Sequence, residues 1–276
     1  MAINAASKVI RFLVLVVFFQ ATSVNARDVI AVVSDIHLVF GNPAHPNQET
    51  FNNFLKVMKS RREITDIVIN GDIFDGPSLV RLARQQRIDV IVGVLRYVQN
   101  ETGVRIHFNL GNHDQLAEHK EGKWVVDESF SLDLKAAIEE AGIAVIGTDP
   151  RKIYRYSIGA TKLEISHFPF ATSKEMVAQA ERFSWHQRAH AKTTNVSQNV
   201  LLSDEFTRVM GDSHTPLEDT RLKIFNAGKL AETSSLPLEP NTFLITRNGR
   251  GRLMVINSDG TVSRFKTSSI TCRSLF

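Results

Sequence analysis

The first half of the chain alternates short apolar, β-branched runs with segments whose apolar residues recur at helical spacing. Val29–Ser34, Thr65–Asn70 and Val104–Leu110 have the pattern of strands that are buried on both faces. Between them, apolar positions at helical spacing predict a helix over Asn47–Lys59, and one helix or two abutting helices from Pro77 to about Asn100. Because alternating strands and helices form parallel sheets, this half predicts a parallel sheet.

In the second half the pattern changes to mostly strands. Helices are predicted over Ser131–Ala141, which Gly142 ends, and over Ser173–Ala191. Short strands are predicted at Ile143–Ile146, Ile153–Ile158, Lys162–Ser166, Phe206–Met210, Ile224–Ala227, Thr242–Arg247, Leu253–Asn257 and Val262–Lys266. We therefore expect an α/β fold in which two sheets pack face to face with helices outside, within one domain.

Residues 1–26 have the pattern of a cleaved signal peptide. A basic stretch precedes an apolar run from Phe12 to Phe19, and small residues stand before the expected cut after Ala26. The apolar run is too short to cross the ~30 Å of membrane hydrocarbon as a helix, so no permanent membrane span is expected. The sequence thus predicts a secreted or periplasmic protein with one domain over residues 27–276. The alternative is a cytoplasmic protein whose start codon is misassigned.

The composition bears on three questions: whether the chain is globular, whether it binds nucleic acid, and which ligands could hold a metal ion. With 43% hydrophobic and 22% charged residues, the chain is globular rather than disordered. Its net charge of +4 includes Lys8 and Arg11 of the signal segment, and no dense block of basic residues follows. A nucleic-acid partner is therefore not favoured. The single cysteine, Cys272, excludes an intrachain disulfide and a cysteine-based metal site.

Most of the acidic, amide and imidazole residues that stand at predicted strand ends fall in five short segments. They are Asp35-Ile36-His37, Gly71-Asp72, Gly111-Asn112-His113-Asp114, His167 and Gly211-Asp212-Ser213-His214. The carboxyl ends of parallel strands meet at one edge of a sheet, and glycines before the ligand residues permit sharp turns toward a common pocket. Carboxylate, amide oxygen and imidazole suit a hard or borderline divalent ion, so the sequence predicts a metal site.

In order and spacing, these segments resemble the calcineurin-like metallophosphoesterase superfamily over essentially the whole mature chain. The resemblance implies a four-layer α/β/β/α sandwich of two mixed sheets flanked by helices, with two divalent metal ions at one sheet edge. Manganese is the expected metal, with iron, zinc or magnesium as alternatives. The implied activity is hydrolysis of phosphate mono- or diesters, in small molecules or nucleotides, by a hydroxide that bridges the two ions.

The resemblance also assigns roles to individual residues. One ion would be held by Asp35, His37 and His214, and the other by Asn112, His167 and Asp212. Asp72 would bridge both ions. His113 would act as general acid at the leaving group, oriented by Asp114.

The last segment departs from the family pattern. The family usually has Gly-His-x-His there, whereas this chain has Gly211-Asp212-Ser213-His214. Aspartate is itself a ligand for hard metal ions, so we expect the second ion to be retained. The added negative charge is expected to disfavour phosphomonoesters relative to diesters. The alternative is the loss of one ion and low activity.

Two other functions remain open on the sequence. Gly71-Asp72-Ile73-Phe74-Asp75 and the Gly-Asn-His-Asp segment also resemble the nuclease subunits of double-strand-break repair. Few residues follow His214, which leaves little room for a cap that grips DNA, and the signal segment argues further against DNA repair. The other alternative is a non-catalytic binding module that keeps the fold.

Overall fold

The computed structural model describes four stretches with their side chains: residues 29–115, 127–169, 205–212 and 223–225. It describes the backbone alone for strand residues 117–120, 123–126, 216–219, 226–227, 241–246, 251–256 and 262–264. The predicted signal segment, the predicted helix Ser173–Ala191 and the predicted ligand His214 lie outside the described residues.

The larger sheet has seven strands and carries the first three ligand segments. Its strands are β1 (Val29–Val33), β2 (Ile64–Asn70), β3 (Arg105–Asn109), β6 (Ala144–Gly147), β12 (Asn241–Thr246), β13 (Gly251–Ile256) and β14 (Val262–Arg264). They lie in the order β14-β13-β12-β1-β2-β3-β6. The neighbours β1, β2, β3 and β6 are parallel, as the alternation of strands and helices predicts, while β12 is antiparallel to β1.

The second sheet has five strands and carries the later ligand segments. Its strands are β7 (Tyr154–Ile158), β8 (Thr161–Ile165), β9 (Thr207–Met210), β10 (Pro216–Asp219) and β11 (Ile224–Ala227), in the order β10-β11-β9-β8-β7. The hairpin β7–β8 turns at Gly159, which has a φ of +57°. Strand β10 and a small hairpin of β4 (Ala117–Lys120) and β5 (Lys123–Val126) were not predicted from the sequence pattern.

Four helices are described: α1 (Pro46–Ser60), α2 (Gly76–Leu79), α3 (Arg84–Thr102) and α4 (Glu128–Glu140). The apolar segment from Pro77 to Asn100 thus forms two helices rather than one. Gly103 ends α3 with a φ of +67°, a conformation that glycine adopts without steric cost. None of the helices in the described residues is long and apolar enough to cross a membrane.

Alternate residues of the larger sheet pack into two different apolar layers. Ala31 and Val33 of β1 belong to a layer with buried residues of α1, α3 and α4. Ile30 and Val32 face the other way and pack with Leu163, Val209 and other residues of the second sheet. Because β1 is buried on both faces, its continuous apolar run is explained. The expected fold of two sheets packed face to face and flanked by helices is confirmed.

Candidate metal centre

The predicted ligand segments meet at the carboxyl edge of β1, β2 and β3, opposite the ends of β8 and β9. Backbone hydrogen bonds tie them together: Asp35 N–H donates to the Gly71 carbonyl (3.1 Å) and His37 N–H to the Asp72 carbonyl (3.0 Å). In the second sheet, Gly211 N–H donates to the His167 carbonyl (2.9 Å). These hydrogen bonds hold the loops that carry the predicted ligands close to one another.

Asp72 lies at the centre of this edge. Its Oδ2 is 3.8 Å from Nε2 of His37 and 3.3 Å from Nε2 of His167. Its Oδ1 accepts a hydrogen bond from the backbone N–H of His113 (2.8 Å). One carboxylate oxygen therefore faces two imidazole nitrogens that come from different sheets.

The side chains around Asp72 form two overlapping clusters. One ligand atom each from Asp35, Asp72 and His167 lie within 4.8 Å of one another, and so do those of His37, Asp72 and His113. Asp35 Oδ1 is also 3.8 Å from His37 Nε2. Asp72 belongs to both clusters. They group Asp35 with His167 and His37 with His113, whereas the resemblance places Asp35 and His37 on one ion, His167 on the other, and makes His113 the general acid.

The hydrogen bonds of His167 test whether the site fits a cation. Its Nδ1 lies 2.7 Å from the carbonyl oxygen of Asn70, which can only accept, so Nδ1 carries the ring proton. The opposite nitrogen, Nε2, faces Asn112 Oδ1 at 3.0 Å and Asp72 Oδ2 at 3.3 Å. Three electron-rich atoms therefore face one another and would repel. A positive charge among them, carried by a proton or a metal ion, removes this repulsion. The residues present fit a divalent cation.

The pKa values of the buried groups reflect the same concentration of charge. Burial lowers the pKa of His167, but the carboxylates of Asp72, Asp35 and Asp212 outweigh burial and raise it to about 10. Burial raises the pKa of Asp72, but the charge and hydrogen bond of His167 hold it below its ordinary value. In the metal-free protein, a proton on His167 therefore supplies the positive charge that the carboxylates require.

The backbone is strained at several of the predicted ligands. Four predicted ligands have positive φ values, in the left-handed region that residues other than glycine seldom adopt: Asp35 (54°), His37 (48°), Asp72 (55°) and Asp212 (58°). Among the described residues, only Lys223 shares this feature without being a predicted ligand. Such strain persists only where the surrounding structure imposes it, and it concentrates at functional sites.

Two glycines allow the ligand segments to approach so closely. A Cβ atom on Gly71, whose φ is +85°, would lie against the His167 ring and the backbone of Gly111. A Cβ atom on Gly111 would overlap the carboxylate and backbone nitrogen of Asp72. The sequence predicts these glycines because the turns are sharp. The structure adds that a side chain at either position would clash with a predicted ligand.

The carboxylate of Asp114 contacts backbone N–H groups, whereas the resemblance implies that it orients His113. This carboxylate accepts hydrogen bonds from the backbone N–H groups of Gly111 (2.9 Å), Asp72 (2.8 Å) and Ile73 (3.0 Å). Burial and the nearby charge of Asp72 raise the pKa of Asp114 to about 6, against these backbone donors, which lower it. Asp114 thereby joins the loop after β3 to the loop after β2.

His113 is oriented by the loop after β2. Its Nδ1 accepts a hydrogen bond from Gly76 N–H (2.9 Å) and lies 3.8 Å from the carboxylate of Asp75. In the neutral ring the proton is therefore on Nε2. The ring is edge-on to His37, with centroids 4.9 Å apart. The sequence did not indicate the contact between Asp75 and His113, because it joins segments that follow two different strands.

The sequence matches the family model described as calcineurin-like phosphoesterase over residues 29–233. A comparison with curated proteins gives no match.

Two solved structures show low similarity. A predicted phosphoesterase from Streptococcus pneumoniae is 13% identical, with 86% of this chain and 97% of that chain covered and a TM-score of 0.38. A phosphopantetheinyl hydrolase from Mycobacterium tuberculosis is 16% identical, with 68% of each chain covered and a TM-score of 0.32.

Proposed function

The chain belongs to the calcineurin-like phosphoesterase family, and from this membership we propose that it hydrolyses phosphoesters with two divalent ions that share Asp72. The observation that carries the proposal is the position of Asp72 in both clusters of ligand atoms. One ion would be held by Asp35, His37 and His214, with Asp72. The other would be held by Asn112, His167 and Asp212, again with Asp72.

The ligand set determines which metals suit the site. All the proposed ligand atoms are carboxylate or amide oxygens and imidazole nitrogens, which favour manganese, with iron, zinc or magnesium as alternatives. When bound, two such ions supply a hydroxide nucleophile near neutral pH and neutralise charge on the phosphoryl oxygens. The strained backbone at Asp35, His37 and Asp72 supports a site that is formed in advance, since these side chains need no rearrangement to face one another.

His113 is the proposed general acid. A histidine donates a proton from its doubly protonated ring, and Nε2 is then the nitrogen that would donate to a leaving group, because Nδ1 faces Gly76 N–H and the loop after β2. The backbone N–H of His113 donates to Asp72 Oδ1, which fixes the residue beside the proposed bridging ligand. Asp75, 3.8 Å from Nδ1, is placed to stabilise the positive ring if His113 takes a second proton.

The main test is a substrate panel with manganese added. Phosphomonoesters, phosphodiesters, cyclic nucleotides and single-stranded DNA are compared on the wild type and on Asp72→Asn, which keeps the shape of the shared ligand but not its charge. We expect the wild type to bind about two ions per chain and to hydrolyse small phosphoesters or nucleotides, and D72N to lose both properties. Turnover that survives in D72N would show that another site is responsible, while preference for DNA would favour the nuclease alternative.

We also propose that Asp212 shifts substrate preference from phosphomonoesters toward phosphodiesters. Its N–H donates to Asp35 Oδ2 (3.1 Å), and its carboxylate is close enough to contribute to the raised pKa of His167. A monoester carries more negative charge than a diester, so this additional carboxylate disfavours the monoester more.

The test of Asp212 compares nitrophenyl phosphate with bis-nitrophenyl phosphate, which have the same leaving group. In Asp212→His the ratio of kcat/KM for the monoester to that for the diester should rise about fivefold, as expected for removal of one charge near the phosphate. Asp212→Asn, which removes the charge and keeps the shape, should change the ratio in the same direction. An unchanged ratio in both variants would contradict the role of this charge.

A further inference from the structure

Behind His167, a buried polar residue joins the two sheets. Asn70, the last residue of β2, is fully buried, and its backbone carbonyl accepts hydrogen bonds from His167 Nδ1 (2.7 Å) and Ser34 Oγ (2.8 Å). Its side-chain Nδ2 donates to the carbonyl of Ser166 (3.0 Å), the residue before His167. Asn70 therefore holds both the ring of His167 and the backbone that carries it.

A second asparagine fixes the side chain of Asn70. Asn109, its neighbour on β3, is fully buried and donates from Nδ2 to Asn70 Oδ1 (2.9 Å). The Ser166 carbonyl can only accept a hydrogen bond, so the Asn70 amide must direct its Nδ2 toward Ser166 and its Oδ1 toward Asn109. The Asn109 amide must therefore direct its own Nδ2 toward Asn70. Its own Oδ1 then has no hydrogen-bond partner among the described residues. An unpaired buried oxygen is costly, so Asn109 is poorly explained by stability alone.

We propose that Asn70 and Asn109 are positioning residues for His167, and that they set the affinity of the ion that His167 holds. This inference rests on the proposed dinuclear function. The side chains of both asparagines act through the carbonyl of Ser166, the residue before His167, while the backbone carbonyl of Asn70 holds the ring itself. Neither asparagine is a proposed ligand. Partners that orient a ligating imidazole affect metal affinity strongly, because a ring that can rotate or shift loses its alignment with the ion.

Strand β2 supplies a matched control at its other end. Asp66 lies on the same face of the strand as Asn70, is also buried, and also joins the two sheets through hydrogen bonds. It is four residues from Asn70 along the strand and touches none of the proposed ligands in the described part of the chain. A variant at Asp66 therefore weakens the contact between the sheets without disturbing His167.

The test measures binding of Mn²⁺ by calorimetry to the full chain after its metals are removed with a chelator. Asn109→Leu keeps the volume of the side chain but cannot donate to Asn70. We expect one of the two binding events to weaken by about tenfold or more and the other to change little. Asp66→Asn should lower the melting temperature and leave both affinities unchanged. Asn109→Ser provides the same test if N109L does not fold.

A spectroscopic measurement separates positioning from general destabilisation. With two equivalents of Mn²⁺, the wild type should give the electron paramagnetic resonance spectrum of a coupled pair, and N109L the six-line spectrum of isolated ions. The double variant Asn70→Ser/Asn109→Leu should bind Mn²⁺ no more weakly than N70S, since Asn109 acts through Asn70.

Two results would overturn the positioning role: wild-type affinities in N109L and N109S, or an equal loss of affinity in D66N. A wild type that binds no Mn²⁺ would instead overturn the proposed function on which the inference rests.

Discussion

At His167, protons and metal ions compete for the same nitrogen. The surrounding carboxylates of Asp72, Asp35 and Asp212 raise the pKa of His167 to about 10, despite the opposing effect of burial. In the metal-free protein the ring is therefore protonated at neutral pH. An ion that binds to Nε2 must displace that proton.

This competition predicts the pH dependence of metal binding. Because the raised pKa keeps a proton on His167 up to about pH 10, the affinity for Mn²⁺ should rise with pH below that value. The expected rise between pH 6 and pH 8 is about tenfold per unit, which corresponds to one proton released per ion bound at this nitrogen. Equilibrium dialysis of the metal-free protein at several pH values measures it. An affinity independent of pH would contradict the protonated state of the metal-free ring.

A second prediction at the scale of single residues concerns the proton donor. His113→Ala should slow hydrolysis of an alkyl phosphoester by about 10²-fold or more, since a poor leaving group needs a general acid. Nitrophenyl esters need little protonation, so their hydrolysis should fall much less. Rates for both substrates are measured at saturating Mn²⁺. The comparison variant Asp75→Asn retains the His113 ring, so it should slow the same substrate selectively but by a smaller factor. Equal losses of rate on both substrates in His113→Ala would exclude the role of general acid.

At the scale of elements, the face of β2 between the sheets has an apolar middle and polar ends. Val68 lies in the apolar layer, while Asn70 reaches the site and Asp66 lies at the opposite end. Asp66 accepts a hydrogen bond from Nε2 of His107 (2.7 Å), and Nδ1 of His107 accepts one from the hydroxyl of Tyr156 (3.0 Å). Because Tyr156 lies on β7, this chain of hydrogen bonds joins the two sheets.

The charge of Asp66 contributes to stability with a definite pH dependence. Burial raises its pKa, but hydrogen bonds from His107, Thr65 and Arg105 outweigh burial and hold the pKa below the ordinary 3.8. A depressed pKa gives stability that is present above the unfolded value and lost as the pH falls through the folded value. Asp66→Asn should therefore lower the free energy of unfolding by about 2 kcal/mol at pH 7.

Denaturant unfolding of the metal-free protein measures this effect. The difference between D66N and the wild type should shrink below about pH 4, where Asp66 of the unfolded wild type begins to take up a proton while the folded protein still disfavours it. Arg105→Gln is the comparison variant. Its side chain is mostly exposed although it bonds to Asp66 (2.9 Å), so its loss should change stability by less than about 0.5 kcal/mol. A constant difference across this pH range would show that the charge of Asp66 is not involved.

At the scale of the whole molecule, neither sheet carries the proposed site alone. The larger sheet supplies Asp35, Asp72 and Asn112 from three parallel strands, and the smaller one supplies His167 and Asp212. The apolar layer between the sheets keeps these groups in register. Ions bound there would contact groups from both sheets, so they are expected to add to global stability.

Export of the whole protein is predicted from residues 1–26. Expressed with its own N-terminus in a bacterium, the protein should leave the cytoplasm and begin near Arg27. The mass and N-terminal sequence of the purified chain measure this. Leu15→Arg, which interrupts the apolar run, should keep the protein in the cytoplasm with residues 1–26 attached. If the unaltered chain also stays there uncut, the alternative of a misassigned start codon is favoured.

Local patterns in the sequence predicted much of the fold. Burial of residues that are near one another in the chain gives β1, β2 and β3 their apolar runs and α1 and α3 their helical spacing. The structure places these elements within a few residues of the predicted bounds. The hairpin β4–β5 and strand β10 were missed because each strand has only four residues, which is too short to show a marked apolar pattern. Helix Ser173–Ala191 stays a prediction.

The sequence alone also identified the family and predicted the chemistry of the site, because acidic, amide and imidazole residues recur at strand ends in a fixed order. Only the tertiary structure decided how those residues are held. In the structure, Asp114 accepts hydrogen bonds from backbone N–H groups, and Asp75 and Gly76 lie beside His113. The structure also shows Asn70 and Asn109 behind His167. These contacts join the neighbouring strands β2 and β3 or the loops after them, which are tens of residues apart in the chain, and they depend on the distance between paired strands. Periodicity along one strand carries no information about that distance, so such partners emerge only when the sheets are assembled.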